Sequence, residues 1–229
     1  MKVALMQPYF FPYLGYFQLI HAVDVFVVYD DVNFKKQSWI TRNNILVNGR
    51  ALRINLVVEG ASSFKKIYEI NRNVDGIKWL KTIEQSYTKA PYFGYVYPLI
   101  ENIATNTEKS LSKFLLFSLQ LLTDYLDIKT IFKLSSEVEK DINLKGEDKV
   151  IAICKSLNAT NYINAIGGQN LYNKDAFTKN DIDLNFIKTN PISYNQFGNS
   201  FVPGLSIIDV LMFNSKETVI GLLNDYKLI

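Results

Sequence analysis

Apolar positions along the chain fall into two patterns. Lys2–Met6 and Val23–Val28 are short, nearly continuous apolar runs, closed by Gln7-Pro8 and by Tyr29-Asp30-Asp31. Runs of this length between polar punctuation read as buried strands. Between them, Pro12 stands at a helix-start position and Tyr13–Ala22 carries apolar residues at helical spacing. Strand, helix and strand in so short a stretch make a βαβ unit, which implies parallel pairing with a right-handed crossover. Asn44–Val47 and Leu52–Val58 flank Asn48-Gly49, the pattern of an antiparallel hairpin. The spacing then turns helical over Asp75–Ser86, Tyr92–Ala104 and Lys109–Leu126. Thr130–Leu134 resumes a strand and Gly146–Leu157 is an amphipathic helix. Thr160–Asn164 is the next strand, with Gly167-Gly168 soon after it. Asp175–Lys179 reads as a short helix and Ile182–Ile187 alternates like a strand. Ser206–Phe213 and Lys216–Tyr226 read as terminal helices, with Ser206 as cap.

Alternating strands and helices without repeats or a Pro/Gly-rich linker predict one α/β domain over residues 1–229. The expected architecture is a Rossmann-like three-layer parallel sheet with a β-hairpin and a helical insertion over about residues 75–127. Composition narrows the chemistry. Aromatic residues make up 14% of the chain (15 Phe, 14 Tyr, 2 Trp), against one histidine and one cysteine. His21 and Cys154 cannot form a zinc site of the usual Cys/His composition, and a histidine-based triad would rest on His21 alone. Net charge is +3 with the lysines scattered, so no nucleic-acid footprint is expected. No signal peptide or membrane span is legible, and the expected location is cytoplasmic.

Four segments offer chemistry. The first, Gln7 to Tyr16, follows the first strand and opens the first helix, where open α/β sheets bind ligands. It carries Tyr9, Tyr13, Gly15 and Tyr16, with Phe10 and Phe11 readable as core. The second runs from Asp30 to Asn43 after the second strand, on the same sheet edge. There Asp30 or Asp31 can orient an amine, a hydroxyl or Mg²⁺, or act as a base. Lys35, Lys36 and Arg42 can neutralise phosphate, Trp39 can stack on a base or sugar, and Asn43 can contact substrate. Salt bridging in an ordinary loop is the competing reading. Gly167-Gly168 suits a phosphate or ribose contact or a tight turn. The last segment offers Gln196 and Ser206 as substrate contacts, and Ser206 with Asp209 also reads as a helix start.

Gln7–Gln18, Lys36–Asn43, Tyr87–Tyr92 and Leu205–Leu211, four separated motifs in order, resemble the WbqC-like family of bacterial proteins. The resemblance implies surface-polysaccharide (O-antigen) biosynthesis, with transfer of an acyl or aminoacyl group, glycyl among them, to an amino sugar. Val3–Met6, Tyr13–Tyr16 and Val23–Val28 are laid out in a way similar to the nucleotidyltransferase superfamily, which includes the amide-forming pantothenate synthetase. That likeness makes ATP and Mg²⁺ candidate co-substrates, and NAD is not expected. The two histidines of the superfamily's motif are Tyr13 and Tyr16 here, and a tyrosine is uncharged at neutral pH. Lys35, Lys36 or Arg42 can supply the positive charge instead; otherwise the site binds a nucleotide without splitting it. Expected partners are small molecules: a nucleotide sugar and an amino acid or other acyl donor, with a homo-oligomer left open. The other reading is a non-catalytic accessory protein that binds a nucleotide sugar or glycan.

Overall fold

The computed structural model describes residues 1–198 and 200–229. β1 (Lys2–Met6) and β2 (Val25–Val28) pair in parallel, Val3 opposite Val25 and Met6 opposite Val28, with α1 (Leu14–His21) between them. The hairpin is β3 (Arg42–Val47) and β4 (Arg50–Asn55), turning through Asn48 and Gly49 at φ 49° and 73°. Positive φ at both central residues is what a two-residue hairpin turn requires. β4 starts at Arg50 and ends at Asn55, displaced from the expected Leu52–Val58. Five of its six residues are exposed, so apolar spacing could not mark its start. The short strands β5 (Val58–Glu59) and β6 (Asn71–Arg72) form a further antiparallel pair that the apolar pattern did not signal.

Helices α2 (Lys78–Tyr87), α3 (Phe93–Thr105) and α4 (Leu111–Tyr125) follow, then β7 (Ile131–Leu134), α5 (Gly146–Ser156) and β8 (Asn161–Ala165). α6 (Lys174–Thr178), β9 (Asp183–Thr189), α7 (Ile207–Phe213), α8 (Lys216–Leu222) and β10 (Tyr226–Leu228) complete the chain. The expected last helix is therefore shorter. Tyr226 leaves it to pair with Thr189, because β9 presents an open edge there.

The central sheet has the order β10-β9-β8-β1-β2-β7, parallel except for β10. Its period-two side chains feed two cores. Ala4, Phe26, Val28, Ile163 and Ile187 pack with α1, α4 and α7. Val3, Leu5, Val25, Val27 and Leu184 pack with α5 and Phe177 of α6. The protein is thus a Rossmann-like three-layer α/β fold. The chain moves from β1 outward to β2 and β7, then crosses to β8. This makes a topological switch point between β1 and β8, and the loops after these strands flank it. Among the described residues, no helix is long and apolar enough to cross a membrane.

Candidate functional site

The loop after β1 is built inward. Phe10 and Phe11 are fully buried, and their rings meet the Trp79 ring edge-on at 5.3 and 5.4 Å. Phe11 sits at φ 45°, a left-handed conformation uncommon for a residue other than glycine. It is held there from two sides. Asn43 Nδ2 donates to the carbonyls of Phe10 (3.0 Å) and Phe11 (2.7 Å), and Ser206 Oγ donates to the Phe11 carbonyl (2.8 Å). Ser206 Oγ also accepts from Ile208 N, so it caps α7 as the sequence suggested. Asn43 and Ser206, read as substrate contacts, serve in the structure as the loop's braces.

Tyr16 is also internal. It is fully buried, donates to the Gln7 carbonyl at 2.9 Å, and packs on Phe26. Gly15 has a steric role: a Cβ there would lie 2.6 Å from Thr189 Oγ1 and 2.7 Å from the Tyr13 ring. The missing side chain lets α1 close onto the end of β9. Tyr9 and Tyr13 remain at the surface of the loop, with Tyr13 38% exposed. Burial pushes both phenols above their ordinary value, and Tyr13 is raised further by Tyr9. Both are therefore neutral hydrogen-bonding groups at physiological pH.

Beyond β2, both aspartates are engaged. Asp30 is fully buried, and its carboxylate accepts from Ser136 N and Ser136 Oγ, each at 2.9 Å. Asp31 forms ion pairs with Lys140 (3.0 Å) and Lys149 (2.8 Å) and accepts from Ser135 Oγ at 2.6 Å. Burial pulls the Asp31 carboxyl upward, but the bonds from Lys149, Ser135 and Lys140 outweigh it and hold the group below the usual range. These carboxylates tie β2 to the turn after β7. Both carboxylates are thus already engaged by donors of the chain itself. Among the described residues, no group of three His, Cys, Asp or Glu side chains gathers as metal ligands.

Arg42 stands apart from these satisfied groups. It opens β3 beside Asn43, half-buried, with its guanidinium carbon 6.0 Å from the centre of the Trp39 ring. Its Nε is buried with no hydrogen-bond partner among the described residues, and the ion pairs found there all belong to lysines. Trp39 is 42% exposed, and its carbonyl accepts from Phe10 N at 2.9 Å, so this corner abuts the aromatic loop. Lys35 and Lys36 are exposed in the same segment. Arg42, Trp39, Lys35, Lys36, Tyr9 and Tyr13 are thus among the predicted residues with groups still available to a ligand.

Gly167 and Gly168 lie in a 3-10 turn, Ile166–Leu171, after β8. Gly168 is buried against Asn164 and Gly167 faces open space. Gln196 lies in a second buried network that the sequence did not reveal. The Asp209 carboxylate accepts from Tyr87 OH (2.8 Å), Tyr194 OH (2.7 Å) and Gln196 Nε2 (2.6 Å). Burial raises the Asp209 carboxyl above its ordinary value despite these three bonds. Its one legible signal was its place in the first turn of α7. Arg72 was also missed. It is 1% exposed, donates to the carbonyls of Asn106 and Glu108, and covers the Phe114 ring at 4.0 Å.

A cleft of about 1020 Å³ opens at the carboxyl edge of β2 and β7. It is lined by Tyr29, Asp31, Asn33, Lys66 and Tyr68 on one side, with Lys140, Lys145 and Lys149 leading into α5. Asp31 is the predicted site residue that reaches it.

No solved structure matches the chain significantly. An uncharacterized protein of Mycobacterium tuberculosis, Rv1507c, is 27% identical over 220 residues, covering 93% of each chain. A family model described as the WbqC-like protein family matches residues 7–220, nearly the whole chain, and the protein belongs to that family.

Proposed function

We propose that the protein is an enzyme of surface-polysaccharide biosynthesis that transfers an acyl or aminoacyl group to the amine of a nucleotide-linked amino sugar. Its family is associated with surface-polysaccharide biosynthesis, which supports the setting. The observation that carries the reading is Arg42. A half-buried guanidinium that forms no ion pair among the described residues, beside an exposed indole, suits a planar, anionic ligand. A nucleotide diphosphate supplies the anion and its base the ring for Trp39. Lys35 and Lys36 add charge around it, and Tyr9 and Tyr13 offer neutral hydroxyls. In the reaction, the sugar amine attacks the carbonyl carbon of an activated acyl donor. The new C–N bond replaces the bond to the leaving group, which departs with its electron pair, and the amine proton passes to solvent.

Asp30 and Asp31 are not assigned as base or metal ligands in this scheme, because serines and lysines already occupy them. The occupied carboxylates also favour a second reading, a non-catalytic protein that presents a nucleotide sugar to a partner enzyme.

Thermal shift with ATP, UDP-sugars and dTDP-sugars, each with and without Mg²⁺, separates these readings. Stabilisation by a sugar nucleotide, lost in Arg42→Ala, supports the clamp. Stabilisation by ATP only with Mg²⁺ supports donor activation on the protein. Mass spectrometry for an acylated sugar nucleotide then distinguishes enzyme from binder. No shift with any of these ligands sinks both nucleotide readings.

A further inference from the structure

We infer that the cleft at the head of α5 is a second anion site, which takes the phosphoryl group of a ring-bearing small molecule on Lys149. The inference stands on residues separate from Arg42 and does not need the clamp proposed above.

The cleft sits at the carboxyl edge of the parallel sheet, and its volume of about 1020 Å³ is at the upper end of small-molecule sites. Its floor is a buried polar network in which donors can be counted. Lys140 directs its three N–H bonds to Asp31 Oδ2 (3.0 Å), the Val138 carbonyl (3.0 Å) and the Ser135 carbonyl. Lys149 directs two, to Asp31 Oδ2 (2.8 Å) and to the Asp31 carbonyl (2.9 Å). It makes no third hydrogen bond among the described residues and lies over the Tyr29 ring, although the residue is only 6% exposed and lines the cleft. The remaining ammonium N–H is available to an acceptor in the cleft, water or a ligand anion.

The backbone beside it also has donors available. α5 has 11 residues and no side chain caps its start. The N-cap position is Lys145, which has no side-chain acceptor, and the Glu147 carboxylate is turned to the backbone N–H of Asn173. The first amides of a helix are unpaired donors at the positive end of its dipole, and they favour phosphate. Gly146 lines the cleft at φ 53°, with open space where a Cβ would stand. The Lys149 ammonium and the uncapped amides belong to the same first turn of α5.

The remaining lining sets what surrounds the phosphoryl group. Buried charge balances on the floor, with Asp30 and Asp31 against Lys140 and Lys149. Lys66 and Lys145 add positive charge, while Glu137 and Glu139 line the β7 side, so the anion belongs on the α5 side. Tyr29 lies under Lys149, whose Nζ is 5.3 Å from its ring centre, and Tyr68 is 46% exposed on the wall. Two aromatic faces beside an anion site suit a sugar ring or a base, which makes sugar phosphates and nucleotides the two sources of this chemistry.

The test uses the Arg42→Ala chain, so that the clamp contributes nothing, and titrates inorganic pyrophosphate by calorimetry. We expect one equivalent bound, and at least tenfold weaker binding when Lys149→Met is added. Should that variant not fold, Lys66→Ala with Lys145→Ala is expected to weaken binding several-fold. No binding by Arg42→Ala protein, or binding unchanged by these substitutions, overturns the inference and leaves the Arg42 clamp standing. Competition by UDP and by glucose 1-phosphate then tells the two ring sources apart: displacement of pyrophosphate by either supports the site, and displacement by neither overturns it.

Discussion

Asn43 Nδ2 lies 2.7 Å from the carbonyl oxygen of Phe11, and this contact fixes the conformation of the loop after β1 from the start of β3. Phe11 adopts φ 45°, and its carbonyl also accepts from Ser206 Oγ. Removing either donor leaves a buried carbonyl less well satisfied next to a strained residue. Asn43→Ala is expected to cost about 1–3 kcal/mol and Ser206→Ala about 1 kcal/mol. Because both act on one oxygen, the double variant should depart from additivity. Urea unfolding checks this, and a cost below about 0.5 kcal/mol for Asn43→Ala would remove its bracing role.

Gly15 is a packing requirement with a measurable size. Gly15→Ala places a methyl group 2.6 Å from Thr189 Oγ1, and that hydroxyl is held by a 2.6 Å bond to Gln18 Oε1. The helix must therefore shift off β9, at a cost of about 1–3 kcal/mol typical of overpacking. For a domain of this size the melting temperature should fall by about 2–4 °C per kcal/mol. An unchanged melting temperature would show that the space exists.

Two carboxyls, the half-buried Asp31 and the buried Asp209, give opposite pH dependences. Asp31 has a native pKa below its unfolded value of about 3.9, so its contribution to stability is present above that value. It is lost as pH falls through the native pKa. Asp209 has a raised native pKa, so it costs stability at neutral pH, and part of that cost is recovered as pH falls from the native pKa toward about 3.9. Asp31→Asn should remove a positive slope of stability against pH below about pH 4. It should also cost about 3 kcal/mol at neutral pH, because it strands two lysines. Asp209→Asn should remove a negative slope above about pH 4. Unfolding free energies measured between about pH 3 and 7 check both signs, and slopes of the same sign would contradict the assignment.

The parallel strands were legible as elements, from short apolar runs at β1 and β2 and from alternation at β9, and β1, β2, β7, β8 and β9 lie close to where the pattern put them, whereas their order in the sheet was not legible. β10 was not legible. Tyr226-Lys227-Leu228 continues a helical-looking stretch, and only the open edge of β9 makes it a strand. The candidate site was legible as a place and less so as roles. The sequence brought the segments after β1 and β2 to one edge of the sheet. It could not show that Asp30 and Asp31 would meet Ser135, Ser136, Lys140 and Lys149, more than a hundred residues away. Lys149 itself stood in a stretch that read only as an amphipathic helix. A charged residue one turn into that helix carries no local sign that its ammonium will be buried.

Tyr13 and Tyr16, both beside the start of α1, should separate cleanly. Tyr16 OH donates to the Gln7 carbonyl inside the core, whereas Tyr13 is at the N-cap of α1 with its ring 38% exposed. Tyr16→Phe strands that carbonyl and should cost about 1 kcal/mol of stability. If the nucleotide sits against the outer face of the loop, Tyr16→Phe should leave the ligand-induced rise in melting temperature unchanged. Tyr13→Phe should do the reverse, keeping the stability of the free protein and reducing the rise produced by a sugar nucleotide. Thermal shift on both variants, with and without a dTDP-sugar, reads the two effects separately. A reduced ligand response in Tyr16→Phe with none in Tyr13→Phe would move the nucleotide to the inner side of the loop.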